Sequence, residues 1–217
     1  MKPKLCYILP RYAKDDATHL AHLTDFLKEI SKTYDLWLMV LEGGYPPSDI
    51  GYQRASVFWF RFLPFRLCEM YCRFLYARFC GYTHFYAHYS FAAAFTASFL
   101  KIIFQKGKVF YWNCGEPWKY KRNILRDTFE KLTYHMIDVL VTGTEGLKKK
   151  YSEIYSISLK KITVMPNWIA LQRFFPDGGR QRMRAALSIP SDAKIILFTH
   201  RLSERKGAQY LPEIFRN

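Results

Sequence analysis

Short runs of β-branched and aromatic residues alternate along this chain with longer stretches of helical periodicity, and that alternation leaves few folds open. Residues 5–9, 36–41, 57–62, 84–88, 109–112, 139–142 and 162–165 read as strands. Several lack the apolar–polar alternation of a half-exposed strand, as expected when helices cover both faces of a sheet. The stretches 18–31, 66–79, 91–104, 123–135 and 146–155 read as helices. The first puts Leu20, Leu23, Phe26, Leu27 and Ile30 on one face, with Asp15, Asp16 and Thr18 available as caps. Pro64 stands just ahead of the second helix, and Gly81 and Gly107 follow helical stretches where a C-terminal cap belongs. Strands and helices in this order build βαβ units. The expected fold class is therefore α/β, a Rossmann-like parallel sheet with helices on both faces.

Composition narrows the partners more than the fold. Half of the 217 residues are apolar, enough for a sizeable core. Lysine and arginine total 33 against 18 acids, a net charge of +15. Such an excess favours phosphorylated substrates, anionic membrane or nucleic acid. The five cysteines fit no common zinc spacing. Cys68, Cys72 and Cys80 stand near helical spacing and are expected on a buried face. No secretory leader opens the chain, so the expected setting is a reducing cytoplasm. The longest apolar run, 91–100, is too short and interrupted to span a bilayer and is expected as a core helix.

The last third is the most specific. Residues 166–179 hold two prolines and two glycines around an aromatic anchor and read as a crossing segment. A short helix over 180–187, a turn over 188–193 and a strand over 194–199 open a second unit. The expected domains are 1–175 and 176–217. The strand runs into a loop with Arg201 and Lys206, then Gly207 at a helix start. Two fixed cations and a helix N-terminus brought to one point can hold a diphosphate.

Three stretches resemble the family 4 retaining glycosyltransferases of the GT-B fold. Lys161-Ile-Thr-Val-Met-Pro-Asn-Trp-Ile-Ala-Leu-Gln-Arg-Phe174 is similar to the family's passage out of its first domain. Arg182 to Pro190, followed by 194–198, looks like the opening of its donor domain. Arg201-Leu-Ser-Glu-Arg-Lys-Gly207 looks like its Arg-Leu-three-residue-Lys-Gly signature. The resemblance implies two Rossmann-like domains facing across a cleft, with Arg201 and Lys206 on the diphosphate of a nucleotide sugar. Fixed cations there would stabilise charge on the departing phosphate. The resemblance departs at His200, where the family usually has glycine, at Ala170, where aspartate is common, and in the first loop, 10–18, which lacks a glycine pair. The family's paired donor-domain glutamates have no counterpart in these 217 residues. The reading is an entire acceptor-side domain and the start of a donor domain, with little activity expected from these residues alone.

Ligands in α/β sheets sit beyond the carboxyl ends of the strands, which directs attention to the loops there. His19 and His22 follow the first strand, three apart, and His19 is a candidate contact to acceptor or phosphate. His88 ends the fourth strand, with Tyr89 and Ser90 offering hydroxyls. Asn113 and Glu116 leave the fifth strand where the family resemblance would place a histidine near the reacting sugar. Asn113 can hydrogen-bond a hydroxyl, and Glu116 can orient or deprotonate one. Trp112 and Trp118 are candidate sugar-stacking faces or core residues. Cys114 has no histidine near it in sequence and is a weak nucleophile candidate. Thr144 is a substrate contact by resemblance and a helix cap by its position. No metal site and no cofactor are expected, the nucleotide sugar being a substrate.

The stretch 61–79 carries Arg61, Arg66, Arg73 and Arg78 among many aromatics, with one acid. It reads either as a face for anionic membrane or as an ordinary amphipathic helix with snorkelling arginines. No nucleic-acid module is recognisable, and no nucleic-acid partner is expected. The expected function is sugar transfer from a nucleotide donor to an acceptor hydroxyl with retention, in glycan, polysaccharide or glycolipid synthesis. The acceptor would be a glycan or lipid-linked molecule, and the protein cytoplasmic, peripheral on the membrane. The alternatives are a basic, non-catalytic α/β protein binding anionic membrane or nucleic acid, and a sugar-nucleotide epimerase of the same fold.

Overall fold

A computed structural model describes residues 2–13, 17–120, 123–167, 171, 179–199 and 202–216, without the side chains of 17–22 and 205. The order is β1 (Lys4–Leu9), α1 (Ala17–Thr33), β2 (Asp35–Val40), β3 (Arg54–Val57), α2 (Leu63–Phe79), β4 (His84–His88), α3 (Phe91–Phe104), β5 (Val109–Trp112), α4 (Ile124–Met136), β6 (Val139–Thr142), α5 (Glu145–Tyr155) and β7 (Ile162–Val164). All seven strands pair in parallel, in the order β3-β2-β1-β4-β5-β6-β7. The chain begins mid-sheet, winds outward to β3, then crosses back to β4 and winds the other way. Strand order therefore reverses between β1 and β4, which opens a crevice at their carboxyl ends.

The two faces of the sheet are covered unequally. Leu5, Tyr7 and Leu9 with Leu36, Leu38 and Val40 form one face, packed under Leu23 and Leu27 of α1. Cys6, Ile8, Trp37 and Met39 form the other, beneath α2 (Met70, Phe74, Ala77), α3 (Ala93, Ala94, Ala97), α4 (Tyr134) and α5 (Tyr151, Tyr155). Alternate residues of β1 and β2 are thus buried on opposite faces, so neither strand shows polar alternation.

The third strand differs from the sequence expectation. It spans Arg54–Val57 and stops where 57–62 was expected to run. The amides of Trp59 and Phe60 bond the Glu69 carboxylate at 3.0 and 3.1 Å, so that aromatic run leaves the sheet as a loop. The helix after it starts at Leu63, with Pro64 in its first turn, where a missing N–H costs nothing. Cys68 and Cys72 are exposed, not buried as expected, because Met70, Phe74 and Ala77 occupy the inward stripe. α3 is a core helix on one side only: Ala93, Ala94 and Ala97 are buried, while Phe99, Ile102 and Ile103 are exposed.

The chain divides into two compact units between Ala170 and Leu171. In the second, α6 (Arg180–Ala186) is followed by a turn that the Arg184 guanidinium fixes by donating to the carbonyls of Pro190 and Ala193. The expected strand over 194–199 forms no ladder among the described residues, and Ile195, Ile196 and Leu197 are exposed. A strand exists only against a neighbour, and apolar sequence cannot substitute for one. A 3-10 turn over Glu204–Lys206 ends at Gly207 with φ +77°, a second follows over Ala208–Tyr210, and α7 spans Leu211–Ile214. Among the described residues no helix is long and apolar enough to cross a membrane.

Candidate functional site

The crevice at the β1/β4 reversal holds an aromatic–imidazole cluster. Tyr7 and His88 are both buried, and the Tyr7 hydroxyl lies 3.0 Å from His88 Nδ1. The imidazole stacks on Trp112 at 4.2 Å between centroids and 14° between planes. Tyr7 stacks in turn on Tyr86 at 4.7 Å. Tyr89, next after His88, takes a left-handed φ of +54° and sets its ring edge-on to both His88 and Trp112. That conformation is costly for a bulky residue and persists only where its surroundings enforce it. Here the amide of Tyr89 bonds the carbonyl of Trp112 at 2.9 Å.

Tyr7, His88 and Trp112 line a cavity of about 20 Å³ with Leu23, Phe26, Met165, Pro166 and Asn167. That is room for about one water. The indole N–H of Trp112 and the hydroxyl of Tyr86 are buried without a hydrogen-bond partner. Burial pushes the Tyr7 hydroxyl well above its ordinary pKa, so it stays protonated. Sequence reasoning missed Tyr7. The signal was its parity: it shares a sheet face with Leu5 and Leu9 and pairs in register with Tyr86, two residues before His88.

The first loop is anchored by the second connection. The Tyr12 amide bonds Glu42 O and the Gly44 amide bonds Tyr12 O, both at 2.9 Å. Gly43, at φ +109°, lies so close that a Cβ there would stand 1.8 Å from the Tyr12 carbonyl oxygen. Only glycine fits that approach.

The loop after β5 is built differently. Asn113 is buried, and its amide nitrogen donates to the hydroxyls of Tyr111 at 3.2 Å and Tyr134 at 3.1 Å. Its side-chain oxygen accepts from the Gly115 amide at 2.9 Å. Tyr134 donates to the buried Glu130 at 2.7 Å, and Tyr151 donates to the Gly115 carbonyl at 2.9 Å. The structure thus places Asn113 inside a network that holds the loop. Glu116 pairs with Lys119 at 2.6 Å and Lys150 at 3.6 Å. The Lys119 hydrogen bond, with both ammonium charges, holds its carboxyl below the usual range, which weakens it as a base. Burial pushes the Cys114 thiol up to about 11. Trp118 packs against Tyr151 as a core partner, edge to face at 5.1 Å. Ser90 and Thr144 cap α3 and α5, the Thr144 hydroxyl accepting from the Leu147 amide at 3.1 Å.

The remaining candidates separate. His19 lies in the first turn of α1, with its side chain outside the described residues. Arg201 and His200 are also outside them. Lys206 closes the 3-10 turn before Gly207. Among the described residues no three His, Cys, Asp or Glu side chains gather as metal ligands. Of the four arginines, Arg66 pairs with Glu42 at 2.8 Å and Arg73 with Glu69 at 2.7 Å. Arg78 is buried, donates to the Lys106 carbonyl at 2.8 Å and lies over Phe85 and Phe104. It cannot join a membrane-facing row, since α2 turns that position inward. Arg61 is exposed at the start of the row.

The seven-stranded parallel, Rossmann-like sheet matches solved structures of GT-B type. Its match to HepE of Anabaena, solved with UDP and glucose, has a TM-score of 0.69 at 12% identity, covering 98% of this chain and 57% of that one. Sucrose-phosphate synthase of Thermosynechococcus elongatus matches with a TM-score of 0.71 at 14% identity, over 99% of this chain and 59% of that one. The UDP-GlcNAc 2-epimerase of Methanocaldococcus jannaschii matches less fully, with a TM-score of 0.53 at 13% identity over 77% of this chain and 46% of its own. In sequence, 82 residues are 30% identical to D-inositol 3-phosphate glycosyltransferase of Kineococcus radiotolerans, 38% of this chain and 19% of that protein. The chain thus spans under two thirds of the length of each of these relatives. No family model matches it.

Proposed function

We propose that this chain is the acceptor-side domain, with the opening of the donor domain, of a GT-B glycosyltransferase that moves a sugar from a nucleotide donor to an acceptor hydroxyl with retention. The observation that carries the reading is the 30% identity over 82 residues to a glycosyltransferase, in a chain whose fold is of the GT-B type. Arg201 and Lys206 would hold the donor diphosphate and stabilise the negative charge on the departing phosphate. The first domain would present the acceptor. Its best-placed groups are His88, Tyr7 and the Trp112 N–H, since these line the crevice and the last has no internal partner. Asn113 would position the loop that carries Glu116, and His19 and Thr144 stand as further contacts. The products would be glycans or glycolipids made on the cytoplasmic side, with no metal or cofactor in the reaction.

The test uses the product of the whole reading frame. Turnover of UDP-sugars is measured against candidate acceptors, and the product anomer is read by NMR. Lys206→Ala should weaken UDP binding about tenfold, or about 1.4 kcal/mol, by loss of one charge-assisted contact. Epimerised nucleotide sugar in the absence of acceptor would instead point to an epimerase. Silence toward every nucleotide sugar, with salt-sensitive binding to vesicles or RNA, would sink the enzyme reading and leave a basic binding protein.

A further inference from the structure

We infer that the buried carboxylate of Glu130 is a positioning residue for sugar transfer, an inference that rests on the transferase reading. It acts through Tyr134 and Asn113 on the loop that follows Trp112 out of the crevice. Glu130 lies on α4 with 2% of its surface exposed. Taking an acid out of water is costly, and an apolar side chain of similar volume often fills such a place as well or better. Packing alone therefore gives no reason for an acid here, and its hydrogen-bond partner gives one.

The Tyr134 hydroxyl donates to Glu130 at 2.7 Å. A phenol carries one hydrogen, and it stays: burial, followed by Tyr111, Tyr151 and Glu130 beside it, pushes Tyr134 far above its ordinary pKa. With that hydrogen committed to Glu130, the hydroxyl offers only lone pairs to Asn113. The amide nitrogen of Asn113 turns toward it, at 3.1 Å, and the amide oxygen is left for the Gly115 N–H at 2.9 Å. One carboxylate thus fixes which way round the Asn113 amide sits. Tyr151 holds the other side of the same residue, donating to the Gly115 carbonyl at 2.9 Å. Gly115 is gripped at both N–H and C=O, by α4 through Asn113 and by α5 directly.

The loop so held begins beside Trp112, which lines the crevice, and ends in Glu116 at the start of a 3-10 turn. Its first residue is tied to β6 as well, the Asn113 backbone amide bonding the Val141 carbonyl at 2.9 Å. Replacing Glu130 by leucine frees the Tyr134 hydrogen. It can then turn to the Asn113 amide oxygen or to the Tyr151 hydroxyl, which is also within hydrogen-bonding reach. Either turn takes away the fixed acceptor of the Gly115 amide and lets the loop shift beside the crevice. Glutamine at the same place keeps an oxygen for Tyr134 and with it the direction of the chain.

The experiment has two arms, and the first needs no turnover. In the 217-residue chain the half-buried Cys114, between Asn113 and Gly115, reports the loop through its rate of alkylation by iodoacetamide. Glu130→Leu should be alkylated there about tenfold faster than the parent, the exposure gained when one buried hydrogen bond is lost. Its urea midpoint should be no lower, and Glu130→Gln should keep the parent rate. Tyr134→Phe breaks the same chain one step on and should also speed alkylation, which decides the outcome if Glu130→Leu does not fold. An unchanged Cys114 rate overturns the inference. So does acceleration that only tracks a lower urea midpoint, or Glu130→Gln behaving like Glu130→Leu. The second arm uses the whole gene product with the acceptor and nucleotide sugar it turns over. Glu130→Leu should raise the acceptor KM about tenfold, leave the nucleotide-sugar KM unchanged, and be rescued by Glu130→Gln. A fall in kcat with both KM values unchanged would mean fewer folded molecules and no positioning role. An idle parent enzyme sinks the transferase reading, whereas the Cys114 rates decide the role of Glu130 in the loop whether or not sugar is transferred.

Discussion

Trp112 and Asn113 are neighbours in the chain and belong to different environments. Successive side chains at a strand end point to opposite faces of the sheet. Trp112 therefore joins Tyr7 and His88 beside the crevice, keeping a buried N–H without a partner. Asn113 turns toward α4 and α5 and gives its amide hydrogens and oxygen to Tyr111, Tyr134 and Gly115. One corner retains hydrogen-bonding capacity and the other has spent it. Polarity and position in sequence do not separate them. Parity does.

The largest effect should come from the spent corner. Asn113→Leu removes the amide that donates to the hydroxyls of Tyr111 and Tyr134 and the oxygen that accepts from the Gly115 amide, and should cost about 3 kcal/mol in urea unfolding. His88→Phe keeps a ring against Trp112 and removes the partner of the Tyr7 hydroxyl, so about 1 kcal/mol is expected. In the whole gene product the same substitution should raise the acceptor KM more than it lowers kcat. The comparison breaks if Asn113→Leu is as stable as the parent, or if His88→Phe is the more destabilised of the two.

How much was legible follows from what each inference relied on. The parallel sheet was readable because its strands are buried on both faces and contain little but apolar residues, whatever their register. The reading failed where one long-range bond decided the outcome. Nothing near Trp59 in sequence signals that Glu69, ten residues on, will take its amide. Cys68 and Cys72 were misplaced because Met70, Phe74 and Ala77 make a competing stripe one step round the helix. The site was less legible still. His88 was found from its strand end, whereas Tyr7 needed the β1–β4 register and Asn113 needed partners 21 residues away on α4.

A smaller effect tests the shared loop from its thiol. Cys114 follows Asn113, packs beside Gly143 and has its thiol pushed up to about 11, chiefly by burial. At pH 8 only about one part in a thousand is thiolate, so alkylation should be slow. Cys68 and Cys72 are exposed on α2. Mass spectrometry after brief iodoacetamide treatment should find those two modified and Cys114 intact. Early labelling of Cys114 would mean that the loop opens, and that the Asn113 network is not the rigid corner of the pair.

The smallest effect concerns Glu116, which lies in the same loop but faces solvent and lysines. Its carboxyl is held below the ordinary range, first by the Lys119 hydrogen bond and then by the Lys119 and Lys150 charges. A depressed folded pKa means the favourable interaction is complete above the ordinary carboxylate pKa and is lost as pH falls through the lower, folded value. Exposure and salt screening keep its contribution to stability small. The direct readout is the carbon-13 titration of the Glu116 carboxyl, whose midpoint should lie below that of an ordinary glutamate. Lys119→Met should raise it more than Lys150→Met, because the first ammonium stands at 2.6 Å and the second at 3.6 Å. A midpoint above the ordinary range would reverse the assignment, turning Glu116 into a group able to exchange protons near neutrality.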